Sequence, residues 1–180
     1  MMKKLSITCL FFILSCKDAV KENVKSEAFS IEDVVAQNNN GTEEARKWLE
    51  RSITDYFKAD ISEQDKMMRD ITTKKYYEFK TDATNVNLNV DGSLTLKEFK
   101  EKWENDYDTN FAGINTGFLI SAQDWINVEV RKCEVQTALL NVYTFKVILA
   151  DDGFKAKYLR NIKVIKEGDQ FLIDGIIESN

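Results

Sequence analysis

Apolar residues recur at helical spacing between residues 42 and 79, and this pattern predicts two helices followed by a less regular helical segment. The first is predicted to begin at Thr42 and the second at Ser62, with Asp65 as a weaker capping partner three residues later. Residues 72–79 predict one or two further helical turns. The first helix should face a core with the stripe Ala45, Trp48, Leu49, Ile53, Tyr56 and Phe57.

The next segment changes its period. Apolar and polar residues alternate over 86–90, which predicts a half-buried strand, and Asp91-Gly92 predicts a turn. Thr95 and Glu98 have the spacing of a capping box, in which each residue binds the backbone amide of the other. We therefore expect another helix to begin directly after Thr95.

From residue 124 onward the alternation has a period of two, which predicts a four-stranded antiparallel meander. The dipeptides 136–137, 152–153 and 168–169 are placed as two-residue turns. These turns put Val128, Phe145, Arg160 and Ile177 side by side on successive strands. The same register predicts one apolar face, covered by helices, that contains Ile126, Val128, Val130, Tyr143, Phe145, Val147, Leu149, Tyr158, Ile162, Val164, Ile173 and Ile177.

The opposite face of the predicted sheet is mixed. Lys163 and Asp174 fall opposite each other, so we expect a cross-strand ion pair. The apolar share of this outer face predicts either a homodimer through the sheet or a covering segment. Its apolar positions are Trp125, Cys133, Leu140, Val142, Ile148, Ile165, Leu172 and Ile176.

The first fifteen residues have the pattern of an export signal. Two lysines precede the apolar run 5–14, which is too short to span a bilayer as a helix. Residues 13–16, Ile-Leu-Ser-Cys, resemble the bacterial lipobox with isoleucine in place of the usual leucine. That resemblance implies lipidation of Cys16 and cleavage before it. An ordinary secretory signal or an N-terminal anchor is the alternative.

These features divide the chain into three parts. Residues 1–15 are predicted to be a lipoprotein signal peptide, and residues 16–41 a lipidated N-terminus with a polar, flexible tether. Residues 42–180 are predicted to form a single α+β domain. The lipobox resemblance implies a bacterial cell envelope location, with the domain on the periplasmic or surface face of the outer membrane.

Charge and cysteine content narrow the partners further. Loss of the signal peptide removes two lysines and takes the formal net charge from −5 to about −7. Such an acidic chain lacks the basic surface that binds nucleic acid, and we expect no nucleic-acid partner. It also lacks a basic patch for anionic lipids, so membrane attachment should come from the lipid on Cys16. Cys133 would be the one free thiol of the mature chain, which excludes an internal disulfide. We expect either a buried, apolar role for it or a bond between chains.

Residues 87–98 also look like a calcium-binding loop around the glycine at position six. Asparagine stands where the first carboxylate is expected, and the sequence has no second loop of this kind. The turn and the capping box account for the same residues, so calcium binding is an alternative interpretation. Its ligands would be Asn87, Asn89, Asp91, Ser93 and Glu98.

Arg160 is a charged residue on the predicted apolar face. A buried guanidinium needs a partner, because an unpaired buried charge is very costly. The partner could be a helix carboxylate such as Asp55, or the head group could reach solvent at the sheet edge. Alternatively, Arg160 anchors an anionic ligand in a pocket with Tyr143, Tyr158 and Phe145.

The order of elements over residues 42–178, helped by the segment WLERSITDYFKADISEQDKMMRDI, resembles the nuclear transport factor 2-like superfamily. That superfamily includes polyketide cyclases and ketosteroid isomerases. The resemblance implies an α+β fold with N-terminal helices packed on a curved antiparallel sheet of four to five strands. In this cone-shaped, cystatin-like arrangement the interior is the usual ligand site.

Two functions are compatible with this resemblance. The first is a non-catalytic module that binds a small ligand or a protein partner. The second is an isomerase, dehydratase or cyclase that uses an aspartate with tyrosines near Arg160, on a small hydrophobic or anionic substrate. The sequence contains no histidine, which excludes a histidine base, and it has no metal-ligand spacing or phosphate loop, so no cofactor is expected. We therefore favour the binding module.

Overall fold

The computed structural model describes residues 31–113, 116–122 and 124–179, which form four helices and one antiparallel sheet. The strands follow one another in the order β1-β2-β3-β4. This architecture confirms the predicted α+β class and the four-stranded meander. The elements are α1 (Ile31–Lys58), α2 (Ile61–Ile71), α3 (Lys74–Asn85), α4 (Leu96–Trp103), β1 (Val128–Leu139), β2 (Val142–Asp151), β3 (Ala156–Glu167) and β4 (Gln170–Ser179).

Helix α1 begins at Ile31, eleven residues before the predicted start at Thr42, and so includes part of the predicted tether. Asparagine and glycine each disfavour a helix by roughly 0.7–1 kcal/mol, and here they do not end it. Gly41 lies close to β2, since a Cβ there would be 2.8 Å from the Tyr143 hydroxyl. The predicted stripe is confirmed where it is fully buried, at Ala45, Leu49 and Ile53.

The two-residue connection between α2 and α3, residues 72–73, is hydrogen-bonded to the sheet. Helix α2 begins at Ile61 after Asp60, so the predicted start at Ser62 is one residue late. Thr73 caps α3 by accepting a hydrogen bond from the Tyr76 amide, so the helical turns predicted over 72–79 are confirmed from residue 74 onward. The Thr73 amide donates to the Ile173 carbonyl at 2.9 Å and so fixes this connection to β4.

The strand predicted over 86–90 is wrong, because this segment is a series of turns. Asn87 and Asn89 adopt positive φ angles of 60° and 55°, which interrupt an extended chain. The turn at Asp91-Gly92 is confirmed, as is the capping box. The Thr95 side chain accepts from the Glu98 amide at 3.3 Å, and the Glu98 carboxylate accepts from the Thr95 amide at 2.9 Å.

The register predicted between β1 and β2 is wrong. The turn lies at Leu140-Asn141 instead of Gln136-Thr137, and Val128 pairs with Asp151 instead of Phe145. Irregularities between Val130 and Lys132 and between Val135 and Thr137 shift the pairing twice along β1. Each bulge adds a residue without a partner, so a simple alternation cannot give the register.

The connection between β2 and β3 is four residues long, since Asp151 pairs with Ala156. The Asp151 carboxylate accepts hydrogen bonds from the backbone amides of residues 126, 127, 153 and 154 at 2.8 to 3.3 Å. Burial alone would raise the pKa of this carboxyl, but the four amides outweigh it and the pKa is lowered. The longer turn moves the register by two residues, so Phe145 pairs with Ile162 instead of Arg160.

The turn predicted at Gly168-Asp169 is confirmed, because Glu167 pairs with Gln170. Farther along, β4 carries one extra residue between the partners of Lys163 and Val164. This bulge shifts the pairing by one, so Arg160 lies opposite Glu178 and the predicted neighbour Ile177 is wrong.

The core lies between the helices and the inner face of the sheet. Ile126 and Ile177, predicted on this face, are instead 66% and 54% exposed. Cys133 and Ile176, predicted on the outer face, pack against the core because the bulges reverse the alternation. The completely buried inner residues of the strands are Phe145, Val147, Leu149, Ile162, Val164 and Ile173, which confirms most of the predicted face.

Candidate functional site

Arg160, the predicted ligand anchor, is used inside the fold. It is 3% exposed, and its Nε donates to the Leu119 carbonyl at 2.8 Å. Nη1 donates to the Leu159 carbonyl at 2.9 Å, and Nη2 donates to Ser121 Oγ at 3.0 Å. Nη2 also lies 3.1 Å from Oε2 of Glu178. The ion-pair partner is thus a strand carboxylate, whereas the sequence suggested a helix carboxylate such as Asp55.

The loop over residues 116–122 supplies two of these contacts. Thr84 Oγ1 donates to the Thr116 carbonyl at 3.2 Å and ties the loop to α3. Gly117 permits its path, because a Cβ there would be 2.2 Å from the Ile120 carbonyl oxygen. Ser121 Oγ also donates to Glu178, so loop, β3 and β4 share one hydrogen-bonded cluster.

The four predicted pocket residues do not meet at one place. Tyr158 lies beside Arg160, with the guanidinium carbon 5.5 Å from its ring centroid, and both line a shallow groove of about 410 Å³. Tyr143 pairs with Val164, four residues along β3 from Arg160. Phe145 is completely buried and packs against Tyr143, with ring centroids 6.4 Å apart.

Lys80 is a buried charged residue that the sequence analysis missed. It is 5% exposed and lies on the apolar stripe of α3 that contains Tyr76, Phe79 and Ala83. Burial lowers the pKa of its ammonium to about 8; the nearby Glu178 carboxylate opposes this shift and Arg160 reinforces it. In the sequence, Lys80 lies at an apolar position of the helical stripe of α3, and this placement is the signal from which its burial could have been predicted.

The outer face carries a groove of about 400 Å³ beside β4. One wall is the segment 104–108 after α4, and the floor is formed by outward positions of β2, β3 and β4. The predicted ion pair is confirmed there, since Lys163 Nζ lies 2.8 Å from Asp174 Oδ2, but the predicted register is wrong, because Asp174 is the bulge residue and Gly175 lies opposite Lys163. Further lining residues are Thr144, Asn161, Gly175 and Ile177 at outward positions, and Phe79 and Ile176, which also pack against the core.

Thr73 and Lys163 hold the Asp174 carboxylate in place in this groove. Thr73 Oγ1 donates to Asp174 Oδ1 at 2.8 Å, so both carboxylate oxygens of Asp174 are bound. Burial raises the pKa of Tyr107 to about 12, and the charge of Asp174 adds to the effect. Tyr107 therefore stays protonated and presents a hydroxyl group at neutral pH.

Gly175 forms an open part of the groove floor. It lies opposite Lys163 on the outer face, and a Cβ there would be 3.8 Å from the Lys163 Cβ, an ordinary contact distance. The position thus has room for a side chain, and an aromatic residue there would fill the groove.

Glu98, the predicted twelfth calcium ligand, is engaged elsewhere. Its Oε2 accepts both the amide and the hydroxyl of Thr95, and these bonds lower the pKa of the carboxyl. Across the described ranges, no three His, Cys, Asp or Glu side chains lie close enough together to hold a metal ion.

Two predicted features bear on the cell envelope. Cys16 and the apolar run before it lie outside the described residues. Among the described residues, none of the four helices combines the length and the hydropathy of a membrane span. Cys133 is half-buried, and burial raises the pKa of its thiol to about 12, so the thiol is protonated at neutral pH.

Comparison with known proteins gives no relative, since no family model, curated protein or solved structure matches the chain.

Proposed function

We propose that this chain is a bacterial lipoprotein, anchored in the cell envelope by a lipid on Cys16, whose domain is a non-catalytic binding module. The basic start, the short apolar run and the lipobox resemblance support the anchor. Helices packed on one face of an antiparallel sheet are compatible with the nuclear transport factor 2-like cone, which we propose as the fold family.

The proposed binding role rests on the position of the open space in the domain. Large side chains fill the region between the helices and the sheet, and Tyr76, Phe99 and Phe145 are completely buried there. The groove beside β4 is open and has the volume of a small-ligand site. We therefore place the ligand on the outer face and not inside the cone.

The lining of the groove indicates the ligand class. Ile177 is 54% exposed and provides an apolar surface, while Lys163, Asp174 and Tyr107 provide polar groups. A small amphipathic molecule, or the side chain of a partner protein, satisfies both surfaces. The enzyme alternative would be favoured by an inward aspartate bonded to Tyr143 or Tyr158, and the hydrogen bonds among the described residues include none.

Filling the groove tests this proposal. Ligand-observed NMR screening of a fragment library against residues 17–180 should yield binders that Gly175→Phe displaces. Lys132→Phe is the matched control, because Lys132 is an exposed residue on β1 outside the groove. Binders that persist equally in Gly175→Phe would overturn the outer-face site. Sedimentation of the same samples reports whether the outer face instead pairs two copies.

A further inference from the structure

We infer that one end of the sheet rests on the surface of the bilayer and orients the anchored domain. The surface, here the hairpin-end patch, consists of Leu139, Leu140, Val142, Ile165 and Leu172. This inference rests on the proposed lipid anchor, which supplies the membrane but not the patch.

The patch crosses all four strands on the outer face. Leu139 pairs with Val142, Val142 with Ile165, and Ile165 with Leu172, so these residues form one continuous apolar row. The β1–β2 turn extends the row with Leu140. Leu139 and Leu140 are 72% and 82% exposed, and large apolar residues grouped in this way indicate a contact surface.

Leu140 also breaks a local rule. It has a positive φ of 54° in a two-residue hairpin turn, a position that glycine or asparagine usually occupies. A leucine there combines backbone strain with an exposed apolar side chain. Neither feature helps the fold, and such exceptions cluster at functional positions.

The chain from the anchor enters at this same end. Gly41 of α1 lies against Tyr143, next to Val142, and Glu44 is 3.9 Å from Lys166. The Lys166 amide in turn donates to the Asn141 carbonyl of the β1–β2 turn at 2.8 Å. The other end of α1 packs far along the sheet, where Phe57 meets Trp125 with ring centroids 5.5 Å apart.

The chain between Cys16 and the domain is long enough for the hairpin-end patch and the lipid anchor to contact the same bilayer. Fourteen residues lie between Cys16 and Ile31, and an extended chain over these fifteen Cα-to-Cα steps spans up to about 50 Å. The ten residues of α1 that precede Gly41 rise only about 15 Å. The anchored domain can therefore lower its hairpin end onto the membrane.

The size of the patch favours a bilayer over a second copy. A stable pair of proteins buries about 20–30 residues on each side, and the patch has five. A tethered domain needs far less, because the anchor turns docking into an intramolecular step at high effective concentration.

Two dye positions at opposite ends of the sheet test the inference. A Cys133→Ala chain receives one cysteine, at Leu140 or at Phe154, for an environment-sensitive dye. Phe154 is the matched control, since it is a 56% exposed apolar residue in the β2–β3 turn. The lipidated protein is placed in vesicles of phosphatidylethanolamine and phosphatidylglycerol. We expect a blue shift and quenching by spin-labelled lipid at position 140, and neither at 154.

A second anchor separates this inference from the lipid proposal. Residues 17–180, which lack Cys9, Cys16 and the apolar run 5–14, carry an N-terminal histidine tag and the same single dye cysteine, and are bound to vesicles that contain a nickel-chelating lipid. Docking there supports the patch even if mass spectrometry finds no lipid on Cys16. Equal signals at 140 and 154, or a shift at 140 that depends on protein concentration without vesicles, would overturn it. If Leu140→Cys fails to fold, Leu139→Cys reports on the same patch.

Discussion

Arg160 and Glu178 face each other on β3 and β4, with Nη2 and Oε2 3.1 Å apart, because one extra residue in β4 turns Glu178 inward. A regular strand would present Ile177 at that place. The bulge therefore supplies the carboxylate that a buried guanidinium needs, and the same step directs Ile177 to the outer groove.

Loss of the Glu178 charge should destabilise the domain strongly. Glu178→Gln leaves the buried Arg160 without its ion pair, and we expect the free energy of unfolding to fall by about 3 kcal/mol. Urea unfolding measures the change. Glu129→Gln, in the exposed pair of Glu129 with Arg131, should cost at most about 1 kcal/mol. Equal losses in the two variants would contradict a structural role for the buried pair.

Lys80 should make stability depend on alkaline pH. Its pKa is about 8 in the folded chain against 10.5 normally, so the unfolded chain binds more protons between these values. Lys80 therefore contributes a rise in stability from pH 8 to pH 10.5, and comparison of parent with variant isolates it from Cys133 and Tyr107, whose raised pKa values contribute the opposite slope. Lys80→Met should remove this rise and stabilise the protein at pH 7 by about 3 kcal/mol.

Urea unfolding at the two pH values checks the prediction, with Lys74→Met as the control. The Lys74 side chain is 92% exposed, so that variant should keep the pH dependence of the parent. A Lys80→Met variant with an unchanged pH slope would show that the ammonium is solvated.

Gly117 should tolerate no side chain. Gly117→Ala forces a Cβ against the Ile120 carbonyl, and we expect a loss of more than about 1 kcal/mol in unfolding free energy. The displaced loop would also expose Arg160, which hydrogen exchange of residues 119–121 reports. Gly175→Ala serves as the control, because a Cβ there meets no atom closer than 3.8 Å. Similar stability of both variants would contradict the crowding.

Replacement of Leu140 should stabilise the isolated domain. Leu140→Gly relieves the left-handed strain, and we expect the unfolding free energy to rise by about 1–2 kcal/mol. The urea midpoint should increase with an unchanged slope. Asn89→Gly, at a similar φ of 55°, should change little because asparagine tolerates this conformation. A loss of stability in Leu140→Gly would mean that the leucine is needed for folding.

The sequence predicts those parts of the fold that depend on neighbouring residues. The buried stripe of α1, the capping box at Thr95 and Glu98, and the turn at Gly168-Asp169 follow from spacings within a few positions. The inward alternation of β2 and β3 is likewise regular, and it gives the core face correctly.

The remaining features depend on contacts between distant residues. Charged residues on β1 suit either face, so nothing in its alternation marks the two bulges. The Asp174 bulge is favoured by Thr73, which is about a hundred residues away in the chain. The contacts of Arg160 depend on that bulge and on the loop at Gly117. The sequence therefore indicates that Arg160 needs a partner, but it does not identify Glu178 as that partner.

The anchor is the central claim, and the mass of the N-terminal peptide tests it most directly. Protein from the membrane fraction, digested and analysed by mass spectrometry, should begin at Cys16 and carry acyl chains. The Cys16→Ser variant should be absent from the membrane fraction or should retain residues 1–15. A native chain that begins at another residue, or an unmodified thiol at Cys16, would contradict the account.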